Sequence, residues 1–91
     1  MNDAKQVDFS NPLRKIWNEN GCAIGGWVLG TDPVMAEATA LAGFDWICID
    51  MEHTAIDYGD ALNLIALIQG KGIKAYVRVG ENNARIIKRV L

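Results

Sequence analysis

Residues 44–49 limit the possible folds more than any other part of the chain, because this run is apolar at almost every position. A strand with one wet face alternates apolar and polar residues, whereas a nearly continuous apolar strand is covered on both faces. Such strands are typical of parallel sheets, in which a helix crosses over between consecutive strands. The run therefore predicts a parallel α/β sheet.

Strand and helix signals alternate along the rest of the chain. Residues 23–29 predict a strand before this run and residues 74–79 predict one after it. Helices are predicted from residue 12 to a stop at Asn20-Gly21, over residues 33–42, over residues 58–69 and from residue 84 onwards. Each predicted helix follows a residue that can cap its N-terminus: Asn11, Asp32, Asp57 and Asn83.

The resulting order is one helix followed by three β/α units of about 25 residues, which fits right-handed βαβ crossovers. The last helix reaches residue 91 without a stop signal. We therefore predict an α/β fold made of an N-terminal helix and the first three units of a (β/α)₈ TIM barrel, a fold that typically needs about 250 residues. Residues 1–91 would form a single partial domain, with an irregular lead over residues 1–10.

Composition excludes several classes of protein. The net charge of −2 gives no basic footprint for a nucleic acid. No stretch approaches the roughly 18 apolar residues of a membrane span, and the polar N-terminus does not resemble a signal peptide. Two cysteines, Cys22 and Cys48, are too few for a disulfide scaffold, and Cys48 is expected to pack as a small apolar residue. We expect a cytoplasmic protein without nucleic-acid or membrane partners.

Ionisable residues gather where two predicted strands end. Asp50, Glu52 and His53 follow the second strand, and Arg78 ends the third. Parallel α/β folds bind ligands at this edge. His53 is the only histidine and could act as a general base near neutral pH, with Asp50 fixing its tautomer. The alternative is a polar loop with an incidental histidine.

Arg78 lies between two valines inside a predicted strand, so its permanent charge needs an anionic partner. That partner could be a substrate carboxylate, held by a pair of hydrogen bonds. It could equally be structural, in the form of Asp50 or Glu52. These two acids are also possible metal ligands, but two carboxylates alone do not define a metal site.

The first predicted strand contains Gly25, Gly26 and Trp27. Glycine inside a strand often marks a tight bend or the close approach of a ligand. Trp27 could form the wall of a pocket, although its position in an apolar strand favours a place in the core.

Several motifs together resemble the HpcH/HpaI aldolase family over residues 22–91. They are Gly26-Trp27, Glu37, Ala42-Gly43-Phe44-Asp45-Trp46, Ile49-Asp50-Met51-Glu52-His53, Val77-Arg78-Val79 and Ile87-Lys88-Arg89-Val90-Leu91. The resemblance implies a class II pyruvate aldolase of the phosphoenolpyruvate/pyruvate superfamily, a lyase that cleaves a 4-hydroxy-2-oxo acid to pyruvate and an aldehyde. It also implies a homo-oligomer, commonly a hexamer, and a divalent metal ion, Mg²⁺, Mn²⁺ or Co²⁺.

The resemblance also implies roles for individual residues. His53 would take the proton of the C4 hydroxyl group, with Asp50 as its dyad partner. Arg78 would hold the 2-oxo group and stabilise the enolate. Trp27 would line the pocket near the pyruvate, and Glu52 would contact water molecules bound to the metal.

The sequence lacks part of the family's pattern. The family's metal ligands are a Glu and an Asp on later strands, so no metal ligand is expected within residues 1–91. We therefore expect the 91-residue chain to be the N-terminal part of an aldolase and inactive by itself. Two alternatives remain, an acyl-CoA lyase of the same superfamily and a non-catalytic α/β module that associates through an open sheet edge.

Overall fold

The structure, a computed structural model, describes residues 10–19 and 21–91. The helices are α1 (Pro12–Glu19), α2 (Pro33–Ala40), α3 (Tyr58–Gly70) and α4 (Ala84–Val90), and the strands are β1 (Gly25–Val28), β2 (Trp46–Asp50) and β3 (Lys74–Arg78). The predicted order of elements is confirmed. The irregular lead expected over residues 1–10 lies outside the described residues apart from Ser10. Of the predicted helix stop at Asn20-Gly21, Asn20 also lies outside them, whereas Gly21 has a left-handed φ of 84° and donates from its backbone N–H to the carbonyl of Ile16 at 2.9 Å, as a C-terminal cap does.

All four predicted caps close the helix that follows them. In each case a side-chain oxygen accepts a hydrogen bond from a backbone N–H of the first turn, which would otherwise have no partner. The pairs are Asn11 with Leu13, Asp32 with Val34, Asp57 with Asp60 and Asn83 with Arg85, at 2.9–3.0 Å. The Asp60 carboxylate also accepts from the backbone N–H of Asp57, which completes a capping box.

The three strands form one parallel sheet in the order β1-β2-β3. In its register, Trp27 of β1 lies beside Cys48 of β2. At the carboxyl ends of the strands, Asp50 of β2 lies beside Arg78 of β3. Strand β2 begins two residues later than predicted. Asp45 instead exchanges hydrogen bonds with Ile24, and these join the two chain segments just before the ladder begins.

One face of the sheet packs against α2 and α3. Alternate strand residues point to opposite faces, and Val28, Ile47 and Ile49 point towards the helices. Helix residues complete this core: Ala36, Ala40, Ala61, Leu64 and Ile68. Burying each large aliphatic side chain contributes about 1.5–3 kcal/mol, so this layer holds the helices on the sheet.

The other face divides into an aromatic half and a polar half. Near the amino ends of the strands, the rings of Trp46 and Tyr76 meet edge to face at 6.2 Å. They line a cleft of about 450 Å³ together with residues of α1, including Leu13 and Trp17. The carboxyl ends of the same strands carry Asp50 and Arg78. Among residues 10–19 and 21–91, every helix is too short for a membrane span.

Gly25 explains why β1 contains glycine. A Cβ atom at this position would lie 1.9 Å from the indole of Trp46, its partner in the sheet register. The close approach that the sequence indicated is therefore made by an aromatic side chain of the same face.

Candidate active site

Asp50 and Arg78 form the centre of the site, because the parallel register places them side by side at the ends of β2 and β3. Arg78 donates from Nε to Oδ1 of Asp50 at 3.1 Å and from Nη2 to Oδ2 at 2.7 Å. Asp50 is 1% exposed, whereas the Arg78 side chain is 40% exposed. A buried carboxylate thus holds one edge of a guanidinium that reaches solvent.

The Asp50 carboxylate also anchors the loop that follows β2. Its Oδ1 atom accepts hydrogen bonds from the backbone N–H groups of Glu52, at 2.9 Å, and His53, at 3.2 Å. The guanidinium of Arg78, and then these N–H groups, hold the pKa of Asp50 well below its usual range, although burial acts in the opposite direction. Asp50 therefore stays ionised and fixes both the arginine and the loop.

Thr54 is a part of this loop that the sequence-based predictions did not include. Its hydroxyl donates to the backbone carbonyl of Asp50 and accepts from the backbone N–H of Ile56 at 3.2 Å. Threonine hydroxyls often close turns in this way, so a Thr four residues after the end of a strand was the available signal.

His53 and Arg78 share one neighbour, the carboxylate of Glu52. Oε1 of Glu52 lies 3.3 Å from Nε2 of His53 and 3.4 Å from Nε of Arg78. The His53 side chain is 68% exposed. The base and the cation expected from the sequence therefore meet at the same edge of the sheet.

The side-chain dyad expected between Asp50 and His53 has a different geometry in the structure. Asp50 contacts the backbone N–H of His53, and the carboxylate next to the imidazole is that of Glu52. The reason is that both oxygens of Asp50 are already engaged, by Arg78 and by the loop N–H groups.

Trp27 lies on the polar face and not in the core. It is 44% exposed, and Cζ of Arg78 lies 4.5 Å from the centroid of its ring. The prediction that Trp27 lies in the core was wrong. Residues of a strand alternate between the two faces of the sheet, and because Val28 faces the helices, Trp27 faces the other side. A cleft of about 410 Å³ adjoins Trp27 and runs along the β1–α2 connection.

Cys48 lies next to this cluster and is buried with a free thiol. Burial raises the pKa of the Cys48 thiol, and the positive charge of Arg78 opposes that shift. The expectation that Cys48 packs as a small apolar residue agrees with this environment.

The residues at this edge do not form a metal site by themselves. Within residues 10–19 and 21–91, no group of three or more His, Cys, Asp or Glu side chains could hold a metal ion. Both oxygens of Asp50 are bound to Arg78, and Oε1 of Glu52 faces two other side chains. A metal at this edge would need ligands from other parts of the protein.

The arrangement offers two chemical functions side by side. An arginine has five N–H donors, and the hydrogen bonds of Arg78 to described residues use Nε and Nη2. Its Nη1 group can therefore donate to an anionic oxygen of a ligand. The exposed imidazole of His53 can accept a proton.

Known proteins resemble this chain over most of its length. A hydroxypyruvate/pyruvate aldolase from Paraburkholderia phytofirmans is 41% identical over 86 residues, which are 91% of this chain and 33% of that protein. A 2-dehydro-3,6-dideoxy-6-sulfogluconate aldolase from Pseudomonas putida is 38% identical over 68 residues, or 75% of this chain and 27% of that protein. The chain thus spans about a third of the length of these curated relatives.

Two solved structures also resemble this chain in fold and sequence. A HpcH/HpaI aldolase/citrate lyase family protein from Burkholderia cenocepacia matches with a TM-score of 0.73 and 31% identity, over 88% of this chain and 32% of that one. The citrate synthase SbnG matches with a TM-score of 0.71 and 34% identity, over 84% of this chain and 31% of that one. The sequence profile of one family, HpcH/HpaI aldolase/citrate lyase, covers residues 23–91. The chain therefore belongs to the HpcH/HpaI aldolase/citrate lyase family.

Proposed function

We propose that this chain is the N-terminal part of a class II pyruvate aldolase, which cleaves a 4-hydroxy-2-oxo acid reversibly to pyruvate and an aldehyde. The single observation that carries the proposal is the guanidinium of Arg78, held at the carboxyl edge of the sheet by a buried carboxylate. A fixed cation at a site where negative charge develops is an effective way to stabilise an enolate. The names of the curated relatives support the same class of reaction.

In the cleavage direction, His53 takes the proton of the C4 hydroxyl group as the C3–C4 bond breaks and the aldehyde leaves. The bonding electrons pass to C3 and spread onto the C2 oxygen as an enolate. Nη1 of Arg78 donates to that oxygen, since the other edge of the guanidinium is bound to Asp50. C3 then takes up the proton that His53 accepted, and pyruvate leaves.

The remaining parts of the proposal concern the whole protein. In it, the three β/α units begin a (β/α)₈ barrel, the protein is a cytoplasmic homo-oligomer, and a divalent metal takes its ligands from later strands. Trp27 lines the pyruvate pocket beside the cleft at the end of β1. The steps assigned above involve only His53 and Arg78.

A second candidate is a carbon–carbon bond-forming enzyme, and the similarity to a citrate synthase favours it. The same cation would then stabilise an enolate that attacks an acceptor. The two candidates differ in substrate, because only the aldolase releases pyruvate from a 4-hydroxy-2-oxo acid.

A chimera tests the proposal. This chain replaces the matching third of the hydroxypyruvate/pyruvate aldolase from Paraburkholderia phytofirmans, and pyruvate release from a 4-hydroxy-2-oxo acid is measured with Mn²⁺ present. We expect activity in the chimera and a loss of at least about 100-fold in kcat in His53→Gln, the size of a general-base contribution. The matched control is Lys88→Gln on α4, which should keep the activity.

Two results would count against the aldolase. One is a folded chimera without pyruvate release. The other is a chimera whose His53→Gln variant is as active as its parent.

A further inference from the structure

Trp27 and Arg78 meet across the middle strand of the sheet. They belong to β1 and β3, the two outer strands, and neighbouring strands lie about 4.8 Å apart. Cζ of Arg78 is nevertheless only 4.5 Å from the ring centroid of Trp27. The Arg78 side chain therefore extends over β2 and ends against the indole.

The guanidinium is held on two different sides. Asp50 binds the edge formed by Nε and Nη2, and the guanidinium carbon Cζ lies over the ring of Trp27, 4.5 Å from its centroid. Two hydrogen bonds along one edge act as a hinge, so they leave the guanidinium free to swing about that edge. The indole blocks this swing, and its electron-rich face attracts the positive charge.

We propose that Trp27 is a positioning residue for Arg78, whose aromatic face fixes the plane of the guanidinium and with it the direction of Nη1. This role requires an aromatic ring, and apolar volume alone does not supply it. The positioning stands on geometry alone, whereas its effect on enolate stabilisation rests on the proposed function. It adds a second role to the pocket lining that the resemblance implies for Trp27.

The surroundings of Trp27 separate this role from a structural one. Trp27 is 44% exposed and lies outside the buried core cluster. The residues before and after it in the chain, Gly26 and Val28, point to the opposite face of the sheet, where Val28 is part of the buried core. Replacing the indole should therefore disturb Arg78 more than the fold.

The test follows the Nε–Hε resonance of Arg78 by NMR in the ¹⁵N-labelled 91-residue chain. The resonance is assigned by its disappearance in Arg78→Lys. In Trp27→Leu we expect the Arg78 resonance to lose its ring-current shift and the exchange rate of its Hε proton to rise about fivefold. In Trp27→Phe this exchange rate should stay within about twofold of the parent value. Trp17→Leu, which removes an indole that is 51% exposed on α1, is the control and should leave the resonance unchanged.

Three outcomes would overturn the proposal. The Arg78 resonance could be unaffected in Trp27→Leu, or it could change equally in the Leu and Phe variants. Trp27→Leu could also unfold the chain, which the loss of chemical-shift dispersion among the backbone amide resonances would show. Trp27 would then be a structural residue.

The chimera separates this proposal from the proposed function. If the Arg78 resonance responds to Trp27→Leu and the chimera releases no pyruvate, the positioning role stands and the aldolase assignment fails. If the chimera is active, Trp27→Leu should lower kcat more than it changes KM, and Trp27→Phe should restore most of kcat. An active chimera with an unchanged kcat in Trp27→Leu would overturn the effect of this positioning on enolate stabilisation and leave the aldolase assignment standing.

Discussion

Asp50 and Arg78 occupy paired positions at the ends of β2 and β3, and one carboxylate meets one guanidinium edge through hydrogen bonds of 3.1 and 2.7 Å. The carboxylate is almost inaccessible to solvent, so it would be costly to bury without this partner. The pair therefore has two consequences. It stabilises the end of the sheet, and it leaves the opposite side of the guanidinium for a ligand.

The first prediction concerns Asp50→Asn and pH. The pKa of Asp50 lies well below its usual range in the folded chain, so the carboxylate contributes stability above its unfolded pKa of about 3.9 and loses it as the pH falls towards the folded pKa. The amide side chain of the variant does not titrate. The variant should be less stable than the parent by a constant amount between pH 7 and 5, and the difference should shrink below about pH 4.

Urea unfolding midpoints at several pH values measure this difference. Glu81→Gln, which removes a negative charge from an exposed turn, is the control and should follow the parent throughout. A stability difference between parent and Asp50→Asn that is the same at pH 3 and pH 7 would contradict the assigned ionisation.

The second prediction concerns Arg78→Lys in the chimera. A lysine keeps the positive charge but cannot bind Asp50 along one edge while presenting a second edge to a ligand. We expect kcat to fall by about 100- to 1,000-fold, which is the usual effect of losing one donor to a developing oxyanion. Steady-state kinetics measure kcat, and the matched control is Arg85→Lys, at an exposed position on α4. Equal kcat values in the two variants would remove Arg78 from the mechanism.

The fold was largely predictable because its signals are local. Side chains such as Asp32 and Asn83 cap helices through contacts two or three residues along the chain, and the apolar run before Asp50 sets the parallel sheet. Given parallel strands, the ends of β2 and β3 must share one edge. This geometry alone brought His53 and Arg78 together.

The contacts inside the site depended on choices that sequence spacing does not encode. Asp50 could have faced either Arg78 or the imidazole of His53, and the backbone N–H groups of the loop favour the first arrangement by occupying Oδ1. The carboxylate of Glu52 instead contacts both the imidazole of His53 and the guanidinium of Arg78. The alternation of side chains along β1 decides which face of the sheet Trp27 occupies. Gly25 and Gly26 have no side chains, so the sequence did not show this alternation.

The third prediction concerns the cap of α2. Asp32 accepts a hydrogen bond of 2.9 Å from the backbone N–H of Val34, and α2 has only eight residues, so the cap is a large part of its local stability. Asp32→Ala should lower the free energy of unfolding by about 1 kcal/mol, and Asp32→Asn, which caps equally well, should change it by less than about 0.5 kcal/mol. Denaturant titration of the parent, Asp32→Ala and Asp32→Asn measures the three free energies of unfolding and tests this order of stability. Equal losses in the Ala and Asn variants would show that the negative charge, and not the cap, is what matters.

The fourth prediction concerns the contact between Gly25 and Trp46. A methyl group at Gly25 would lie 1.9 Å from the indole, a rigid ring that also packs edge to face on Tyr76. Gly25→Ala should therefore lower the free energy of unfolding by about 1–3 kcal/mol, as overpacking does, and shift the near-ultraviolet circular dichroism of the aromatic residues. Gly30→Ala is the matched control, because no atom lies within 4 Å of its Cβ position. It should leave both measurements close to the parent values. If Gly25→Ala were as stable as Gly30→Ala, the indole of Trp46 could move aside at little cost, and Gly25 would not be required for the packing of this face.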